Sequence, residues 1–198
     1  MNARKVNIDL INGSPHFSRA EIERGDKDAM AGIDPDYLKA VIDFRGWHGR
    51  STLISSFYRA GDSGAHGEGR ASDQVLFEQY GVTPCSPIEM YTRATQWPFT
   101  GVGLYLDWGF TNTSTGKVEP TPGIHVDRAT TRTRPLRWVA ASYLAGQPVT
   151  PLILGGQERK KAKRVFYYQD PADGLFKAQG VSKSYSLAEF IDLHDQRI

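Results

Sequence analysis

Cysteine is nearly absent. One residue, Cys85, stands in a chain of 198, so an internal disulfide framework and a thiolate-built structural zinc site are both excluded. Long apolar runs are missing too: none approaches the roughly 20 residues needed to cross a bilayer. The opening MNARKVNIDLINGSPHF has no uninterrupted apolar core behind its basic residues, so no secretory signal is expected. Synthesis in the cytoplasm follows from that reading, and an extracellular place of action would need another route. There is no internal repeat and no low-complexity tract. A strong charge excess is also lacking, because the formal net charge of +2 is too small to argue for nucleic acid by itself.

The chain does have enough apolar material for a core, 39% of residues with 11% aromatic. Its length suits one domain with at most a small appendage. Local signals give an α+β pattern. Val6 to Ile11 reads as a short strand or extended arm, ended by Asn12-Gly13-Ser14-Pro15. Ser18-Arg19-Ala20-Glu21 is a capping box, serine and glutamate each satisfying a free amide at a helix start. Asp34-Pro35 begins a longer helix whose face is Tyr37, Leu38, Val41, Ile42 and Phe44. Thr52 to Tyr58 and Ala71 to Phe77 are β-prone. Ser86-Pro87-Ile88-Glu89 starts a helix to about Thr95. Val102 to Asp107 and Gly123 to Asp127 read as strands, with Gly109 to Thr121 a surface loop between them. Leu136, Val139, Ala140, Tyr143 and Leu144 recur at helical spacing after Pro135 and stop at Gly146. Val165–Gln169 and Leu175–Ala178 form a hairpin, and Ser186 begins a last helix. A soft boundary near residue 146 divides residues 1–145 from a C-terminal extension, 146–198.

Two stretches carry chemistry. His66-Gly67-Glu68-Gly69-Arg70-Ala71-Ser72-Asp73 sets an imidazole and a carboxylate seven residues apart, with small residues between. Ile124-His125-Val126-Asp127 adds a second imidazole on a strand, with Asp127 on its own face by alternation. Two histidines and one carboxylate would leave the fourth position of a tetrahedral zinc open, the arrangement of catalytic zinc. The pattern H-x-x-G-x-A-x-D arises by accident on the order of once in a thousand chains this long, so the spacing itself carries information. His16, His48 and His194 read as hydrogen-bonded structural residues.

These motifs resemble the zinc peptidases that trim peptidoglycan peptides: the D-Ala-D-Ala carboxypeptidases, the L-Ala-D-Glu endopeptidases and phage endolysins that share the fold of the hedgehog signalling domain. Pro15-His16-Phe17-Ser18-x-x-Glu21 is similar to their opening segment. Ser56-Phe57-Tyr58-Arg59 is similar to their "SGYR" strand end, and His66-x-x-Gly69-x-Ala71-x-Asp73 to their metal motif. Gly101-Val102-Gly103-Leu104-Tyr105, His125-Val126-Asp127 and Arg137-Trp138 resemble their closing run. The likeness covers about residues 15–140. It departs at Gly64, where the family has serine, at Phe57 in place of glycine, and at Pro122, where many relatives carry the acidic general base. The segment from Tyr105 to His125 is also longer.

The resemblance implies an antiparallel sheet with flanking helices and a zinc ion held by His66, Asp73 and His125. It implies hydrolysis of a peptidoglycan peptide at the cell wall, in a phage-encoded lysin since no signal precedes the domain. Asp127 is the candidate base, with orientation of a ligand histidine the alternative role; Glu68 and Glu119 are weaker candidates. Arg59 matches the arginine that grips a substrate carboxylate or carbonyl, or else makes a structural ion pair. Tyr105 and Trp108 line the cleft or pack in the core, and Arg137 and Trp138 brace the fold. Arg159, Lys160, Lys161, Lys163 and Arg164 face anionic wall polymers, a nucleic-acid neighbour or only solvent. Docking to a wall or a virion is expected through 146–198, and nucleic acid is the weakest of these partners. The competing function is a binding or virion-associated structural protein that keeps the scaffold without turnover.

Overall fold

The computed structural model describes residues 2–24, 26–130, 135–141, 165–179 and 183–195. In chain order the elements are α1 (Ala3–Asn12), α2 (Arg19–Ile22), α3 (Ala29–Gly32), α4 (Pro35–His48), β1 (Ser51–Ser56), β2 (Ala71–Gln79), β3 (Thr83–Pro84), α5 (Pro87–Gln96), β4 (Gly101–Thr111), β5 (Val118–Asp127), β6 (Leu136–Ala141), β7 (Val165–Gln169), β8 (Phe176–Lys177) and α6 (Leu187–Asp195). The architecture is α+β, a mostly antiparallel sheet with a few helices. Strand order is β1-β2-β5-β4-β6-β7-β8, with β3 beside β2. Among the described strands, only β4 and β6 run parallel.

Helix starts follow the sequence signals. Ser18 accepts from Glu21 N while the Glu21 carboxylate accepts from Ser18 N, the full capping box. Asp34 caps α4 by accepting from Tyr37 N, Pro35 follows, and Gly49 ends the helix at φ 68°. Tyr37, Leu38, Val41 and Phe44 are buried along its inner face. That face docks on the sheet through a polar anchor as well as apolar contact. The Tyr37 hydroxyl donates to Val126 O at 2.7 Å and lies 2.8 Å from Ser72 Oγ.

One side of the sheet therefore faces helices. Val102, Leu104, Ile124, Val126, Val139 and Tyr167 belong to this core. Tyr167 meets Phe190 of α6 with ring centroids 4.7 Å apart. The boundary drawn near residue 146 falls outside the described residues, but β7 beyond it pairs antiparallel with β6. Residues 165–195 thus continue the same sheet and the same core.

Three expectations need correction. Val6 to Ile11 is not a strand but the middle of α1, capped by Asn2 and presenting Asn7 and Ile11 as its buried residues. The helical face was hidden because one of its two inward residues is polar: Asn7 Nδ2 donates to Met30 O and Ile33 O at 3.0 and 2.8 Å. Residues 136–141 are a strand rather than the start of a helix. A short apolar run fits either period, and its parallel pairing with β4 from Gly101↔Leu136 to Tyr105↔Ala140 decides the matter. The remainder of that expected helix, with Tyr143 and Leu144, lies outside the described residues, as do Pro148 to Leu154 and the basic cluster 159–164. Finally, most of the expected loop 109–121 is paired strand, Trp108↔Thr121 to Thr111↔Val118. Only a turn remains, in which Asn112 Oδ1 accepts from Ser114 N and Thr115 N.

A candidate metal centre on the open face of the sheet

Sheet register builds the site. Ser56 pairs Asp73, Asp73 pairs His125, His125 pairs Gly103, Gly103 pairs Trp138, and Trp138 pairs Tyr168. Residues directly opposite one another share a face, so this row crosses the sheet on the side away from α4, α5 and α6. Asp73 and His125 are cross-strand neighbours although 52 residues separate them in sequence.

His66 reaches the same point from the loop between β1 and β2. That loop is folded back on itself by Gly69 N→His66 O at 3.1 Å, Arg70 N→Ala65 O at 2.8 Å and Arg59 N→His66 O at 3.3 Å. Gly69 is required there on two counts. Its φ is +69°, and a Cβ would sit 2.0 Å from Gly32 O. The glycine of the H-x-x-G spacing is thus where this loop presses on the end of α3.

Each histidine has one nitrogen fixed and one aimed inward. His66 Nδ1–H donates to the Phe57 carbonyl, which leaves Nε2 with its lone pair 3.2 Å from Asp73 Oδ1. His125 Nε2–H donates to Asp127 Oδ2 at 3.2 Å, and Nδ1 points at Asp73 Oδ1 from 2.9 Å. Three acceptor atoms therefore converge, all within 4.8 Å of one another. A tetrahedral zinc with bonds of about 2.1 Å spaces its ligands by roughly 3.4 Å, which falls inside the observed range. Lone pairs aimed at a carboxylate oxygen repel unless a proton or cation lies between them, so the donor set fits a metal ion. His66, Asp73 and His125 could hold one.

Asp73 is divided between two tasks. Oδ1 faces the imidazoles, while Oδ2 is held by Arg59 in a close ion pair. Burial would raise the Asp73 pKa, but without an ion a proton shared with His125 or His66 turns these contacts into hydrogen bonds, which outweigh burial and hold the carboxyl well below the usual range. For His125 burial works against the charged form, yet hydrogen bonds to Asp127 and Asp73 raise its pKa overall.

Asp127 sits behind His125, not in front of it. It is fully buried. Oδ1 accepts from Thr100 Oγ1 at 3.0 Å and Ala129 N at 3.1 Å, and Oδ2 accepts from the imidazole. Ala71 and Gly101 occupy the paired positions on either side of it. Arg59 stays on the open side with its side chain 46% exposed, its Nε donating to Ser56 Oγ at 2.9 Å. Beside it lies a cavity of 310 Å³ lined by Ile22, Asp26, Ser55, Ser56 and Arg59, among others.

Among the other expected residues, Tyr105 is half-buried with its ring 4.8 Å from Trp108. Trp138 lies over Gly103, where a Cβ would come within 2.1 Å of the indole, and its ring is 5.3 Å from His125. Arg137 NH1 and NH2 donate to Thr100 O and Phe99 O, bracing the turn before β4. Glu68 is exposed on the loop between β1 and β2. The backbone of Glu119 lies opposite Phe110, six residues and roughly 20 Å along β5 from His125. His48 is buried and accepts from Arg50 N. Sequence reasoning missed the Phe57 carbonyl and Thr100, because a backbone oxygen and an isolated threonine leave no spacing to read.

Among the described residues, no helix is long and apolar enough to cross a membrane. The chain matches no family model, no curated protein and no solved structure.

Proposed function

We propose that this chain is a zinc-dependent peptidase that hydrolyses peptide bonds in peptidoglycan stem peptides or cross-links, with the scaffold of the D-Ala-D-Ala peptidases and the hedgehog domain, and that it serves as a phage lysin at the cell wall. One observation carries the reading. Two imidazole nitrogens and one carboxylate oxygen converge on a single point, each ligand's remaining polar atom already engaged elsewhere. Three ligands of this kind leave a coordination position for solvent, unlike the closed four-ligand sets of structural zinc.

A zinc ion held there would supply a Lewis acid and a bound water acidified toward about pH 7. The protein's own groups do the rest. Arg59 fixes Asp73 so that one carboxylate oxygen is presented, and in this reading its exposed guanidinium edge meets a substrate carbonyl or carboxylate. Phe57 and Asp127 lock the tautomers and ring planes of His66 and His125. Asp127, buried with both oxygens engaged, acts as a positioning residue in this reading. Glu68, a carboxylate exposed on the loop between β1 and β2, is the candidate for proton transfer in this reading.

Metal analysis of the purified protein, joined to peptidoglycan digestion with mass spectrometry of the products, tests the reading. About one zinc per chain and cut stem peptides are expected, both lost on His66→Ala. Protein that binds no stoichiometric zinc and leaves wall peptides intact would overturn it. A second reading, a virion-associated binding protein without turnover, is favoured by the burial of Asp127 together with Pro122 where relatives carry an acid. Wall hydrolysis that disappears on chelation would remove it.

A further inference from the structure

The row that holds Asp73 and His125 continues past them. Gly103 and Trp138 lead to Tyr168, and the next row on the same face runs Tyr105, Ala140 and Phe166. Phe166 and Tyr168 are large apolar side chains left 40% and 47% exposed, while Tyr167 between them is buried in the core. Alternation on β7 thus turns two rings outward on the metal side. Tyr105 links them to the site, its ring 6.5 Å from Phe166 and 4.8 Å from Trp108.

We infer that Phe166 and Tyr168 form a sugar-binding platform, a subsite for a pyranose ring of the glycan strand that carries the peptide substrate. Aromatic faces are weakly negative and flat; the C–H-rich face of a pyranose is apolar, flat and weakly positive, so the two stack. The register positions Gly103, Tyr105, Trp138, Ala140, Phe166 and Tyr168 carry no charge, and Lys177, the next residue of the row opposite Tyr168, is ion-paired with Asp170 and Asp173 at 2.9 and 2.7 Å. A platform for single-stranded nucleic acid would need cations along the backbone track. An uncharged sugar needs none.

Register also sets a length, and this step rests on the peptidase reading above. Tyr168 lies three strands from His125 in one row, about 14 Å at the usual strand spacing. Extended peptide covers 3.3–3.6 Å per residue, so a sugar seated on β7 brings a bond about four residues along the stem to the metal trio. The first bond of the stem would fall short. The platform therefore selects bonds near the D-Ala end.

Two measurements separate the inference from the reading it rests on. Calorimetric titration of the full chain with a β-1,4-linked N-acetylglucosamine oligomer should detect binding, weakened about ten-fold by Phe166→Ala or Tyr168→Ala. Unchanged circular dichroism and zinc content would show that the variants remain folded. Cleavage of sugar-linked stem peptide should show a KM raised about ten-fold in the same variants with kcat unchanged, and sugar-free peptide should be cut equally by all three proteins. Wild-type protein that ignores the oligomer, or binds it as well after both substitutions, overturns the platform even if peptides are cut. Oligomer binding without any cleavage keeps the platform and removes the peptidase. Preferential binding of an oligothymidylate also overturns the sugar assignment.

Discussion

The two histidines of the centre reach it by opposite means. His66 stands on a loop whose path depends on glycine and on hydrogen bonds within the backbone. His125 stands in mid-sheet, where paired strands on both sides fix the backbone and only the ring needs holding. The loop ligand is oriented by a carbonyl, the strand ligand by a buried carboxylate. A loop ligand should therefore fail through its backbone, and a strand ligand through its side-chain support.

Removal of either ring is the largest perturbation. His66→Ala and His125→Ala should each lower zinc affinity by more than about a hundred-fold, read by competition with a chromogenic chelator. Near-equal affinity in either variant would dissolve the centre. Gly69→Ala comes next. It forces alanine to φ +69° and drives a methyl into Gly32 O, which should cost about 3 kcal/mol in urea unfolding. Because the strain is at the loop, zinc affinity should fall alongside stability. A neutral outcome would show that the loop can be rebuilt without this glycine.

Asp127→Asn tests the strand side. As a positioning residue it should weaken zinc binding about 10- to 100-fold, whereas loss of a catalytic base would abolish turnover with metal content intact. The smallest effect belongs to a histidine outside the comparison. Burial lowers the His48 pKa to about 3, against 6.5 for an exposed histidine. The unfolded chain takes up that proton first, so the contribution of neutral His48 is complete above pH 6.5 and shrinks as pH falls toward 3. Between pH 7 and 5.5 the loss should be about 1 kcal/mol. His48→Asn keeps an acceptor for Arg50 N, and its unfolding midpoint should lack that part of the pH dependence.

Much of the fold and of the site is legible in the sequence. Caps at Ser18, Asp34 and Ser86 are local chemistry, and all three are found. The trio His66, Asp73 and His125 came from spacing, and the sheet brings it together. What escaped is what depends on partners far along the chain. Asn7 hides a helix because its amide is satisfied by α3, and residues 136–141 form a strand because β4 lies beside them. Alternation placed Asp127 next to His125 correctly, yet could not tell front from back. That distinction rests on Thr100 and the Ala129 amide, which close over its other oxygen.

Trp138 lies flat against Gly103 with its indole next to His125. The chain therefore carries a fluorophore within quenching range of a candidate metal ligand. Titrating zinc while exciting at the tryptophan edge should change the emission in step with occupancy, with no label attached, and a Trp138→Phe variant would silence that part of the signal.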